Sequence, residues 1–123
     1  PRHPYSWLWE PFEAEPTFFL RPMFGARGAY LDGKLTLVFI ARAEPWQGLL
    51  VCTAREHHPA LMAAFPFLSP HEVLAKWLYL PEAAENFENA AEELVRAVLF
   101  RDPRIGVAPL PKKKKSARKK RTP

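Results

Sequence analysis

Hydrophobic and polar positions divide the first half of the chain into short segments typical of β-strands. Residues 17–24 are rich in β-forming side chains, and Pro22 places this segment at a sheet edge or at a bulge. Residues 29–31 and 34–40 flank Asp32-Gly33, a dipeptide suited to the two positive-φ positions of a type I′ turn. After one more short connection, a further strand follows near residue 50. The pattern predicts strands joined as an antiparallel meander.

The second half of the chain combines helical and strand patterns. A short helix is predicted from His58, with Pro59 in its first turn, to about residue 64. Residues 69–72 have the composition of a second helix start, whereas residues 76–80 favour a final strand. Within residues 83–99 the apolar positions recur at helical spacing, at Phe87, Ala91, Leu94, Val95 and Val98. This last segment is therefore predicted to be an amphipathic helix.

Together these elements predict an α+β fold, with helices packed on one side of an antiparallel meander sheet of about four to five strands. The aromatic, proline-broken segment of residues 5–12 precedes the sheet as a helical turn or an extended arm. The helical periodicity ends at Asp102-Pro103-Arg104. We therefore expect one folded domain over residues 1–104, followed by a disordered linker and basic tail over residues 105–123.

Positive charge is concentrated in that tail. The whole chain has a formal net charge of +5, from 18 Lys and Arg against 13 Asp and Glu. Eight of the cations and no anion lie within ten residues: Lys112, Lys113, Lys114, Lys115, Arg118, Lys119, Lys120 and Arg121. The rest of the chain, with ten cations against thirteen anions, has a net charge of −3. Because such a run can neutralise phosphates, we expect non-specific binding of DNA or RNA, with a merely solvated tail as the alternative.

Cysteine usage and hydropathy exclude several classes of protein. Cys52 is the single cysteine, which excludes an intramolecular disulfide and a multi-cysteine zinc site. Its apolar neighbours predict a buried strand residue, and a nucleophile beside His57 and His58 is the alternative. The sequence has neither a signal-peptide pattern in residues 1–15 nor a run of about 18 apolar residues. We expect a cytoplasmic protein without a membrane span.

The sequence lacks the motifs that would define an enzyme. Gly25 and Gly28 match neither glycine-rich pattern that cradles phosphates, and a plain turn is the simpler interpretation. His57, His58 and His71 lack the i, i+4 spacing at which two imidazoles converge on a metal. Because no convergent acid, base or nucleophile can be named, we expect a non-enzymatic protein with no catalytic residue, metal or cofactor.

Aromatic residues make up 13% of the chain, and most lie on elements that must also supply the core. Trp7, Trp9 and Trp46 lie instead in the arm and in a connection between strands. Tryptophan is enriched at protein interfaces. The aromatic arm or a sheet edge is therefore a candidate for contact with another protein or a second copy of the chain, and simple packing against the core is the alternative.

The segment of residues 21–33 resembles a known family signature. It is similar to the Arg-x-Met-Phe-Gly-Gly-x-Gly-x-Tyr-x-Asp-Gly pattern of TfoX N-terminal domain-like proteins, with alanine at the second glycine of the pair. The matching residues are Arg21, Met23, Phe24, Gly25, Gly28, Tyr30, Asp32 and Gly33. The resemblance extends over about residues 17–100, and the MmcQ/YjbR-like family is the alternative. It implies a meandering antiparallel sheet covered by helices on one side, and the competence regulators of the first family imply a regulatory role.

Two functions follow from these observations. The first is a non-enzymatic accessory or regulatory protein whose tail contacts nucleic acid. The alternative is a protein-interaction or ligand-binding module in which the tail is incidental.

Overall fold

The computed structural model describes residues 3–23 and 25–109 of the chain. Within these ranges the helices are α1 (Ser6–Trp9), α2 (His58–Ala64) and α3 (Phe87–Leu99), with 3₁₀ turns at Glu10–Ala14 and Arg55–His57. The strands are β1 (Phe19–Met23), β2 (Ala26–Leu31), β3 (Lys34–Ala41), β4 (Gln47–Val51), β5 (Ser69–Pro70) and β6 (Leu78–Pro81). The basic run of residues 112–121 and the signature residue Phe24 lie outside the described residues.

One antiparallel sheet joins the strands in the order β1-β2-β3-β4-β6-β5. β1 is an edge strand. Pro22 has no backbone N–H to donate, and an edge strand tolerates this loss because it has a neighbour on one side only. The hairpin between β2 and β3 turns at Asp32 and Gly33, whose φ angles are 55° and 80°, as a type I′ turn requires. The predicted α+β fold with a meander sheet is confirmed, and the described sheet has six strands where four to five were expected.

The additional strand comes from residues 69–72, where a helix start was predicted wrongly. Ser69 pairs with Tyr79 as part of β5, and the His71 N–H donates to the carbonyl of Trp77 at 3.0 Å. The pairing of residues 69–70 with β6 takes the place of the predicted first helical turn. The later helix α3 begins at residue 87, not near 83, because Asn86 adopts a left-handed φ of 59°.

The two faces of the sheet have different covers. Along β3, Leu37 and Phe39 point toward the helices, whereas Val38 and Ile40 point to the opposite face. The helix face is sealed by side chains from the arm, α2 and α3 that are 1% exposed or less: Leu8, Phe12, Leu61, Ala91 and Leu94. The opposite face is covered by side chains from connections: Trp46, Leu74, Trp77 and Val107. The helices thus pack on one side, as predicted.

A β-bulge in β3 sets which side chains reach the second face. Ala29 opposes Leu37 and the next residue, Tyr30, opposes Leu35, so that Thr36 is the extra residue. The Thr36 hydroxyl donates to the carbonyl of Ala29 at 2.8 Å, which satisfies this buried polar group. The bulge turns Leu35 toward the same face as Tyr30.

The segments at both ends of the domain pack onto it. In the arm, Tyr5 and Trp9 are 3% and 7% exposed, so these two side chains belong to the core. At the other end Ile105 is 5% exposed, and Val107 forms a β-bridge with Leu35. The packing therefore continues past residue 104 to residue 107. Among the described residues, no helix is long and apolar enough to cross a lipid bilayer.

Candidate functional site

A pocket of about 760 Å³ opens on the sheet face that the helices do not cover. Its floor is apolar and comes from three neighbouring strands, through Ala26 of β2, Val38 and Ile40 of β3, and Leu50 of β4. Met23 of β1 closes one side. The walls come from two connections: Arg42, Ala43, Glu44, Pro45 and Trp46 on one side, and Leu74 and Trp77 on the other. Strands therefore hold the floor and loops form the rim.

The first wall is the tight connection between β3 and β4. Its ends are joined by two backbone hydrogen bonds, from Arg42 N–H to the Trp46 carbonyl at 2.9 Å and from Trp46 N–H to the Ala43 carbonyl at 2.8 Å. Arg42 and Glu44 are exposed and supply the charged side chains that line the pocket. The wall thus combines an indole surface with a charged rim.

Tyr79 fixes this wall to the sheet. Its hydroxyl lies 2.9 Å from Glu44 Oε1 and 2.8 Å from the Gln47 carbonyl, and accepts the Gln47 N–H at 2.7 Å. Burial, reinforced by the Glu44 carboxylate, raises the pKa of Tyr79 well above its ordinary value. The hydroxyl therefore stays protonated and remains a hydrogen-bond donor.

The second wall is the turn between β5 and β6. The Trp77 N–H donates to the Leu74 carbonyl at 2.9 Å, which closes the turn that carries both lining side chains. The Lys76 ammonium lies 5.0 Å from the centre of the Trp77 indole, in cation–π contact. Trp77 and Leu74 are half-buried, so both are available to the pocket.

His71 lies behind both walls and is 1% exposed. Its Nδ1 accepts the N–H groups of Val73 and Leu74 at 3.0 and 2.9 Å. Its Nε2 lies 2.6 Å from the carbonyl of Pro45. A ring nitrogen that accepts two N–H groups carries no proton, so the proton is on Nε2 and the imidazole is neutral.

The predicted signature residues surround the β1–β2–β3 hairpins. Arg21 is exposed, with its guanidinium 5.5 Å from the ring centre of Tyr30. Met23 lines the pocket, and a Cβ on Gly28 would lie 2.8 Å from the Met23 Cε. Asp32 accepts a hydrogen bond from Arg101 Nε at 2.9 Å. Gly25 and Gly33 have positive φ angles of 80°. Among the residues singled out by the signature, Met23 therefore belongs to the pocket directly, and Gly28 leaves room for it.

Other residues singled out from the sequence lie apart from the pocket opening. Cys52 is fully buried, and burial raises the pKa of its thiol well above the ordinary value. His58 Nε2 bonds to the carbonyl of Lys76 at 2.9 Å. Trp9 is buried in the helix-face core, whereas Trp7 is 38% exposed. Within the described ranges, no three His, Cys, Asp or Glu side chains are grouped as metal ligands would be.

Sequence reasoning did not find the pocket, although one signal was present. The apolar run of residues 37–40 has no polar alternation, which indicates a strand buried on both faces. Since the helices cover one face only, the other had to be covered by connections. Trp46, a candidate for contact with a partner, contributes a wall of the pocket together with Trp77.

In comparisons with known proteins, no family model, no curated protein and no solved structure matches the chain. The resemblance to TfoX N-terminal domain-like proteins, and the alternative MmcQ/YjbR-like relationship, therefore stay predictions.

Proposed function

We propose that this chain is a ligand-binding module that holds a small, mainly apolar molecule in the pocket on the open face of the sheet. The observation that carries the proposal is the pocket itself, with its volume of about 760 Å³ and its largely apolar lining. Small-molecule sites typically measure roughly 300–1,000 Å³ and combine apolar walls with a few polar groups. A floor built on three strands holds such a site in a fixed shape.

The lining indicates the chemistry of the ligand. Trp46 and Trp77 offer flat indole surfaces, and Val38 and Ile40 offer an aliphatic floor, which together suit a ring system or a branched chain. Arg42 places a guanidinium at the exposed rim. Glu44 places a carboxylate at the same rim. The ligand is therefore an amphipathic molecule whose apolar body enters the pocket and whose polar end stays at the rim.

Fluorescent probes test this proposal. We expect the uncharged dye phenylnaphthylamine to bind saturably to one site and to quench the tryptophan emission, since two of the four tryptophans line the pocket. Replacing the small floor residue by a large one, Ala26→Phe, fills the pocket and should weaken the affinity by about tenfold or more. The matched control Ala63→Phe adds the same ring on the exposed surface of α2 and should leave the affinity unchanged.

The anionic dye anilinonaphthalene sulfonate tests the rim. Arg42→Gln should weaken binding of this dye by several-fold and leave phenylnaphthylamine unaffected. If the original chain binds neither dye, or if Ala26→Phe keeps full affinity while its circular dichroism is native, the proposed function is wrong.

A second candidate function rests on the charge pattern of the sequence. The eight cations of residues 112–121 favour non-specific binding to nucleic acid. The relationship to TfoX N-terminal domain-like proteins, and the accessory or regulatory role that it implies, are part of this second proposal. Its test is the salt dependence of DNA binding by the full chain, in comparison with a chain that ends at residue 109.

A further inference from the structure

His71 connects the two walls of the pocket through its two ring nitrogens. Nε2–H donates to the carbonyl of Pro45 in the first wall, and Nδ1 accepts the N–H groups of Val73 and Leu74 in the second. A side chain that accepts the N–H groups two and three residues ahead acts like the N-cap of a helix. Here it holds a turn that returns to β6 instead of a helix.

We propose that His71 is a pH-sensitive latch of the pocket, a form of regulation that rests on the proposed ligand binding. A second proton must occupy Nδ1, and the ring then donates from both nitrogens. The N–H groups of Val73 and Leu74 would lose their acceptor and face a third N–H group inside a buried site. Relief of that conflict moves the turn that carries Leu74 and Trp77 away from the first wall. The neutral ring holds the two walls together beside the ligand, and the charged ring lets them separate.

The packing around the His71 ring restricts the proposed movement to the walls of the pocket and leaves the sheet in place. The imidazole lies between two pocket-side aromatics, 4.4 Å from the Trp46 ring centre and 4.9 Å from that of Tyr79. Trp46 belongs to the first wall, whereas Tyr79 belongs to β6, and its hydroxyl bonds to Glu44 of the β3–β4 connection and to Gln47 of β4. A displaced turn therefore separates Leu74 from Trp46 while the floor remains.

The charged and titratable groups on the two walls are Glu44 and Arg42 of the first wall and Glu72 and Lys76 of the second. Tyr79, whose ring contacts the imidazole, stays uncharged at neutral pH because burial raises its pKa. The bonds that break are those to Nδ1, because this atom accepts the N–H groups of Val73 and Leu74.

His58 provides a matched control. It is also buried, at 8% exposed, and it also bonds to a backbone carbonyl, that of Lys76, through Nε2 at 2.9 Å. A charged His58 still donates through Nε2, so protonation leaves this hydrogen bond in place.

The experiment measures phenylnaphthylamine affinity of the full chain at about pH 7.5 and about pH 5, a range in which histidine changes its charge. We expect the affinity to fall by about tenfold or more at the lower pH. In His71→Asn, the amide oxygen replaces Nδ1 as the acceptor and cannot titrate. This variant should bind more weakly at neutral pH, because the bond to Pro45 is lost, and equally at both pH values. His58→Asn should keep the full pH dependence.

Amide NMR signals of Val73 and Leu74, recorded across the same pH range, test the latch without any dye. They should shift together with the His71 ring signals, while far-UV circular dichroism stays native. Absence of dye binding at neutral pH would refute the proposed function, and the amide signals would still decide on the latch. If neither the dye affinity nor the amide signals depend on pH, the latch is refuted, and the proposed ligand binding is unaffected. Unfolding of the whole domain over this range would also refute it.

Discussion

At the scale of single residues, Cys52 shows how the sheet protects a reactive group. It follows β4 and packs with Tyr30, Leu35 and Tyr79 on the pocket face, below the surface. Its backbone is bonded on both sides: the N–H donates to Thr36 at 3.0 Å, and the carbonyl accepts from Gly106 at 2.7 Å. With 0% exposure and a raised pKa, the thiol is neither accessible nor ionised at neutral pH. This geometry favours the core interpretation of Cys52 over the nucleophile.

Alkylation tests this placement. At pH 8, where about a quarter of an ordinary thiol is ionised, iodoacetamide should modify the native protein at least about a hundredfold more slowly than the protein in guanidinium chloride. Mass spectrometry of timed samples gives both rates. Comparable rates would mean that Cys52 is reachable in the folded state, and would restore the nucleophile as a hypothesis.

At the scale of elements, the pairing of β4 with β6 depends on one glycine. Gly48 has a φ of 150°, and a Cβ built on it would lie 2.1 Å from the carbonyl oxygen of Leu80. Because that oxygen belongs to the backbone of the neighbouring strand, no side-chain movement can relieve the overlap. The two strands approach as closely as they do because position 48 has no side chain.

Two alanine variants separate close approach from backbone conformation. Gly33→Ala introduces a residue at a φ of 80° with open space around it, and should cost about 1 kcal/mol of the free energy of unfolding. Gly48→Ala also meets the Leu80 carbonyl and should cost more, roughly 2–4 kcal/mol. Denaturant titrations of both variants give the comparison. Equal losses would show that the approach of β4 to β6 is easily relaxed.

The sequence predicted elements best where the physical signal is local. Asp32-Gly33 defined its hairpin, and the helical spacing between Phe87 and Val98 defined α3, because turn geometry and amphipathic periodicity depend on neighbours along the chain. The pairing of Ser69–Pro70 with β6 was not predictable in this way. Two residues have no periodicity, and the partner strand lies after a turn whose shape depends on buried hydrogen bonds of His71.

The pocket could be predicted only in part for the same reason. Val38 and Ile40 were expected in a strand, and their face followed from alternation with Leu37 and Phe39. That the face would stay free of helices depends on where α3 docks, which is a property of the tertiary structure. The same holds for the two walls, whose contact through His71 joins Pro45 and Leu74 over a long stretch of sequence.

At the scale of the whole molecule, the residues just after position 104 pack on the domain, and they decide where a variant without the basic tail should end. Ile105 packs in the helix-face core, and the Thr53 hydroxyl donates to the Arg104 carbonyl at 2.6 Å. Removal of Ile105 would lose the burial of one apolar side chain. This loss should lower the free energy of unfolding by roughly 1.5–3 kcal/mol. A chain that ends at residue 104 would therefore confuse lost stability with lost charge.

The chain that ends at residue 109 keeps this packing and lacks the eight cations. We expect it to unfold at the same denaturant concentration as the full chain but to lose binding to duplex DNA. For the full chain, the slope of log affinity against log salt should approach about −7 if all eight charges contact phosphates. Equal DNA binding by the two chains would place the nucleic-acid site on the domain, and absence of binding by both would remove nucleic acid as a partner.

The strand order also has a consequence for how the chain folds. β1, β2, β3 and β4 are neighbours in space in the order in which they are synthesised, so each of their pairings closes only a short loop. During synthesis, these four strands can pair once residue 51 has left the ribosome. The apolar surfaces of α1 and of the newly formed sheet then stay uncovered until α3 is synthesised, almost forty residues later. The nascent chain thus passes through a stage with an assembled sheet and an uncovered core, and it is at this stage that it is most exposed to aggregation.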